Sequence, residues 1–110
     1  MINIEASIGV DHVFTLTAEG HAHADRNEND HDLVCCAVST IICTLANSCA
    51  QMEDVNTVYH SKHGYGHVNV TSVPEDLWGE IVSRFQMAVD GLTALAMQYP
   101  DSIRIDHIEQ

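Results

Sequence analysis

Alternating apolar and polar positions predict strands over residues 2–8 (INIEASI) and 12–18 (HVFTLTA), with GVD between them as turn residues. Residues 20–31 carry no periodic apolar face and are rich in Asn and Asp, so they read as a loop, with a helix starting near Asp32. From Leu33 to Ala50 the apolar residues circle most of that helix, and a helix apolar on nearly every side is buried on nearly every side. A chain of this size covers one such face with its own sheet, so the other face calls for a second copy. VNTVYHSKHG and GHVNVTSV predict a second hairpin around HGYG. Pro74, Glu75 and Asp76 then suit the first turn of a second helix, whose inner stripe is Leu77, Ile81, Phe85, Val89, Leu92, Leu95 and Tyr99. Tyr99-Pro100 stops it, and SIRIDHI, residues 102–108, alternates as the last strand. The order β-β-α-β-β-α-β predicts an α+β (α/β) two-layer sandwich in which two main helices lie on one mixed sheet.

The 110 residues leave room for a single domain over 1–110 with one modest core. A composition of 45% hydrophobic and 18% charged residues is that of a folding chain and not of a disordered one. Sixteen carboxylates against four basic side chains give a net charge of −12, which argues against direct nucleic-acid binding and favours a basic partner or substrate. The N-terminus has no basic start followed by an apolar run, and no apolar stretch approaches the ~20 residues of a bilayer crossing. These features predict a cytoplasmic protein with no membrane partner and reduced cysteines.

Candidate chemistry concentrates in GHAHADRNENDHDLVCCAVS, residues 20–39. With Asp32 as the helix cap, Cys35 falls at the third helical position, where an unpaired amide and the positive dipole end favour a thiolate. Its side chain would lean back toward the loop that carries His21, a candidate base. Asp25, Glu28, Asp30 and Asp32 oppose this by raising a nearby thiol's pKa. The opposing reading of Cys35 is a small buried hydrophobe. Cys36 is rotated about 100° from Cys35 and shares a face with Cys43, so both read as core or interface, as does Cys49. His21, His23, Asp25 and His31 with a cysteine form an alternative metal set, but no C-x-x-C or H-x-x-x-H pair supports it. A non-catalytic scaffold homodimer is the remaining alternative. His12, His60, His63, His67 and His107 read as solvated or structurally bonded.

GHA followed after a loop by DLVCCAVS resembles the ribosomal-processing cysteine protease family, whose pattern is Gly-His-Ala and then Asp-Ile-Val-Cys-Ala-Ala-Val-Ser. The likeness continues through DGLTALAMQYPDSIRI near the end of the chain. The resemblance implies a small two-layer homodimer, joined here through the first helix, that cuts a peptide with a cysteine–histidine dyad. It implies as substrate the N-terminal extension of a large-subunit ribosomal protein or, in phage relatives, a similar extension on a head protein. By position His21 and Cys35 match the dyad, and Gly20, Asp32 and Ser39 match the flanking residues. Cys36 stands where the family has alanine. The segment between His21 and Cys35 is about two residues longer than the family pattern, and His23 replaces a glycine, as in a divergent, prophage-type member. The reading includes no cofactor and no metal.

Overall fold

The alternation along the first strand is realised as a buried–exposed pattern, because every second side chain meets the helical layer and the others do not. The computed structural model describes residues 1–21 and 28–109, without the side chains of residues 28–32. Its elements are β1 (Ile2–Ile8), β2 (Phe14–Gly20), α1 (Glu28–Ala50), β3 (Asn56–Lys62), β4 (Tyr65–Thr71), α2 (Trp78–Gln98) and β5 (Ile103–Glu109). The five strands form one sheet in the order β3-β4-β2-β1-β5. Only β1–β5 is parallel, and the other three pairings are antiparallel, so the sheet is mixed as predicted.

Both helices lie on one face, α1 over β3 and β4 and α2 over β1 and β5, and they pack against each other. Ile4, Ile8, Phe14, Leu16, Val68 and Val70 from the sheet meet Val34, Val38 and Ile42 of α1 and Ile81, Phe85 and Leu92 of α2 in one core. The Arg84 guanidinium of α2 donates to the Ser48 carbonyl of α1 at 2.7 Å, which joins the helices beyond their apolar contact.

Beyond shifts of one or two residues at the ends of β3, β4 and β5, three boundaries differ from the sequence reading. Strand β2 begins at Phe14 and not at residue 12, because Val10–His12 form a 3-10 turn in which Asp11 and His12 have positive φ. The shift is even, so the inward set Phe14, Leu16 and Ala18 keeps its face. Helix α1 begins at Glu28 and not near Asp32. The acidic residues that suggested a loop are those that a helix's positive end favours in its first turns. A short 3-10 turn, Glu75–Leu77, also precedes α2.

The outer side of α1 narrows one expectation and corrects another. Of the three cysteines read as core or interface, Cys49 lies in the core, while Cys36 and Cys43 are exposed on the surface of the single chain. The 18 residues Leu33–Ala50 are charge-free with a mean hydropathy of 1.9, so an apolar run of near bilayer-crossing length does exist. A third of that segment is buried within the chain, through the inward row that includes Val34, Val38, Ile42 and Cys49, as in a core helix. Its outer stripe includes Leu33, Cys36, Thr40, Cys43, Thr44 and Asn47. Thr40 and Thr44 donate their hydroxyls to the carbonyls of Cys36 and Thr40 at 2.8 and 2.7 Å, which reduces the polarity this stripe presents.

Phe85→Ala should destabilise the protein by about 3–5 kcal/mol in denaturant unfolding, since the ring is fully buried between the layers. Met87→Ala, two residues on in the same helix but 79% exposed, should stay within about 0.5 kcal/mol of the unsubstituted protein.

Candidate active site

At its last residue β2 emerges from the middle of the sheet onto an open cleft. Gly20 takes φ +110°, and a Cβ there would run into the Met1 carbonyl, so the close pass between β2's end and the start of β1 excludes a side chain. The Gly20 amide donates to the Gly64 carbonyl at 2.9 Å, which fixes the end of β2 to the β3–β4 turn. His21 follows, and its carbonyl accepts from the Met1 nitrogen at 2.5 Å.

The His21 imidazole packs on that same turn. Its ring centroid lies 4.7 Å from that of His63, with the planes tilted by 41°. A Cβ built on Gly64 would stand 2.6 Å from His21 Nε2 and 2.8 Å from Cε1, so the ring occupies space that only glycine leaves open.

Helix α1 supplies the opposite wall. Cys35, half-buried, and Ser39, one turn further on, border the same cleft as His21. The remaining wall comes from Tyr59, Ser61 and Lys62 of β3, His63 and Gly64 of the turn, and Tyr65 and Gly66 of β4. The cleft holds about 250 Å³, room for part of an extended peptide. Its described lining contains one lysine and two histidines but no carboxylate. The Lys62 ammonium lies 5.5 Å from the Tyr65 ring centroid.

The structure therefore brings Gly20, His21, Cys35 and Ser39 to one cleft and leaves Cys36 outside its lining. Asp32 lies within α1, one turn before Cys35, and its side chain is outside the described residues. His23 and Asp25 also lie outside them, and among the described residues no three His, Cys, Asp or Glu side chains converge as a metal set.

The helix-start argument for Cys35 does not hold. Counted from Glu28, Cys35 is the eighth residue of α1, beyond the first four amides that lack intrahelical partners. The polar groups that border the cleft opposite it come from the end of β2 and the β3–β4 hairpin. Sequence reasoning missed His63, Gly64, Tyr59 and Lys62. The HGYG turn was visible, but nothing local ties it to His21; that link depends on the β2–β4 register, in which Glu19 pairs with Tyr65.

Two titratable groups outside the cleft are shifted. Burial raises the Cys49 thiol above its ordinary value, which suits a core residue and not a nucleophile. His67, on the sheet face away from the helices, shares a 2.7 Å hydrogen bond with Thr17 Oγ1. Desolvation first, and the neighbouring His60 second, hold its imidazole below 6.5.

A cysteine on a helix and a histidine at a strand end, facing one peptide-sized cleft in a two-layer α+β fold, are the parts of a cysteine-dependent hydrolase. The cysteine protease Prp family model matches residues 1–104, and the chain belongs to that family of proteases. The chain is similar to the Staphylococcus aureus ribosomal processing protease Prp solved with a covalently linked product peptide. That likeness has 18% identity and a TM-score of 0.74 over 98% of this chain and 100% of that one. The same protease solved with a substrate peptide gives 20% identity and a TM-score of 0.71 over the same shares. SMU.848 from Streptococcus mutans gives 22% and 0.67, over 100% of this chain and 96% of that one. At these identities the likeness is one of fold. No curated protein sequence matches the chain.

The lowered His67 sets a pH dependence of stability. As pH falls below 6.5 the unfolded chain takes up this proton before the native state does. The stability present above 6.5 is therefore lost as pH falls through the lower folded value. His67→Gln should make the melting temperature fall less between pH 7 and pH 5 than it does in the unsubstituted protein; equal falls would contradict the assignment.

Proposed function

We propose that this chain is an endopeptidase that removes a short N-terminal extension from a large-subunit ribosomal protein or a similar phage head protein, with Cys35 as nucleophile and His21 as base. The observation that carries the reading is that His21 and Cys35, on separate elements, border one cleft. His21 takes the Cys35 proton, and the sulfur attacks the scissile carbonyl carbon to form a tetrahedral oxyanion. The C–N bond then breaks, the imidazolium hands its proton to the leaving amine, and water assisted by His21 hydrolyses the thioester. Ser39 supports the cysteine from the next turn, and Asp32 matches the flanking aspartate of the family pattern by position. Gly20 sets the path of the chain into His21.

A peptide as substrate class is supported by the S. aureus neighbours, whose structures hold a substrate peptide and a product peptide. The charge of −12 favours a basic extension.

A homodimer through α1 belongs to the same proposal. Two chains of charge −12 repel least when they meet on an uncharged surface, and the outer stripe of α1 from Leu33 to Asn47 carries no charge. A twofold arrangement would bring this stripe onto itself.

Cys35→Ala should abolish cleavage of a peptide carrying paired phenylalanines before Ala-Ser-Lys-Lys. His21→Ala should lower the rate ~10²–10⁴-fold, the usual worth of a general base. Cys36→Ala should retain most activity. Cleavage by the Cys35 variant would refute the nucleophile assignment.

Light scattering should give about twice 12.1 kDa for the unsubstituted chain and about 12.1 kDa for Thr40→Lys, which puts a charge in the middle of the stripe. A monomeric unsubstituted chain at micromolar concentration would refute the interface.

A further inference from the structure

We infer that His63 and Gly64, the tip of the β3–β4 hairpin, are positioning residues for His21: they form a seat that fixes the orientation of its imidazole in the cleft. The inference rests on His21 being the base, and it adds two residues that the motif around His21 and Cys35 does not contain. Three observations converge on it. The His63 ring lies 4.7 Å from the His21 ring at a 41° tilt, which restricts rotation of His21 about its side-chain bonds. Gly64 leaves open the space into which the Nε2–Cε1 edge of His21 fits, with a would-be Cβ 2.6 Å from Nε2. The Gly20 amide, immediately before His21, donates to the Gly64 carbonyl at 2.9 Å, so the seat and the seated residue share one backbone tie.

The physical need for a seat follows from where His21 sits. It is the first residue past the end of β2, outside the sheet's ladder, so strand pairing fixes its neighbour Gly20 but not its side chain. A base must hold its nitrogen within hydrogen-bond reach of the proton it removes, and misplacement by about 1 Å can cost ~10²-fold in rate. Packing from His63 and the contour of Gly64 supply the restraint that the strand does not. His63 acts here through its flat ring and not through its proton, so another aromatic ring should replace it.

Three variants test this by peptide hydrolysis, with His21→Ala as reference. His63→Ala should lower kcat about tenfold with KM within about twofold, and His63→Phe should restore most of that loss, because the ring contact returns without the imidazole. Gly64→Asn should lower kcat about 10²-fold. Asn tolerates the φ of +76° at this position better than other side chains do, while its Cβ still meets His21, so the fold survives and the seat does not. The His21 imidazole signals in a two-dimensional NMR spectrum should move in His63→Ala and Gly64→Asn, and lie close to their original positions in His63→Phe.

Unchanged kcat in both His63→Ala and Gly64→Asn, or unmoved His21 signals in them, would overturn the inference. So would a phenylalanine variant as impaired as the alanine one. If His21→Ala itself keeps full activity, the base assignment fails. If His21→Ala is inactive while the His63 and Gly64 variants are fully active, the seat alone fails.

Discussion

The pairing of β2 with β4 is the seam on which this structure depends. The N-terminal hairpin and the β3–β4 hairpin are each local, and this one antiparallel ladder, Phe14↔Val70 through Glu19↔Tyr65, makes them a single sheet. The inward side chains along the seam are Phe14, Leu16, Val68 and Val70, all fully buried, so both helices press on it. The same ladder ends where the Gly20 amide reaches the Gly64 carbonyl, and it delivers His21 to the turn and to the wall opposite Cys35. Core and cleft therefore share one register: a slip of a single residue would turn the inward apolar set outward and move His21 away from its neighbours.

The architecture was legible in the sequence because one-sided burial leaves a periodic trace. Strand alternation in Ile2–Ile8 and the three- and four-residue spacing of Ile81, Phe85, Val89 and Leu92 each report a single covered face. The start of α1 was not legible, since Glu28, Asp30 and Asp32 suit a loop and the positive end of a helix equally well. Placing the helix start four residues early removed the dipole argument for Cys35 while leaving that cysteine on the cleft. His21 and Cys35 were singled out from the crowding of residues 20–39, and the motif resemblance then chose Cys35 over Cys36. His63 was not singled out, because its partnership with His21 is a product of strand register, and no local pattern encodes which turn meets which strand end.

Charge is distributed against the simplest reading of composition. A chain with sixteen acidic residues places a lysine, two histidines and no carboxylate on the described wall of its cleft, and none on Leu33–Ala50. Among the described residues the acidic side chains therefore lie elsewhere on the surface, where their field acts at a distance and weakens with salt.

The proposed base and nucleophile are each fixed by their own element: His21 by the end of β2 and its neighbouring turn, Cys35 by the interior of a long helix whose inner row is buried in the core. Neither position depends on the number of residues that join them. On the proposed assignment, the segment between the two anchors is therefore free to vary in length and sequence while each anchor keeps its own packing in strand end and helix.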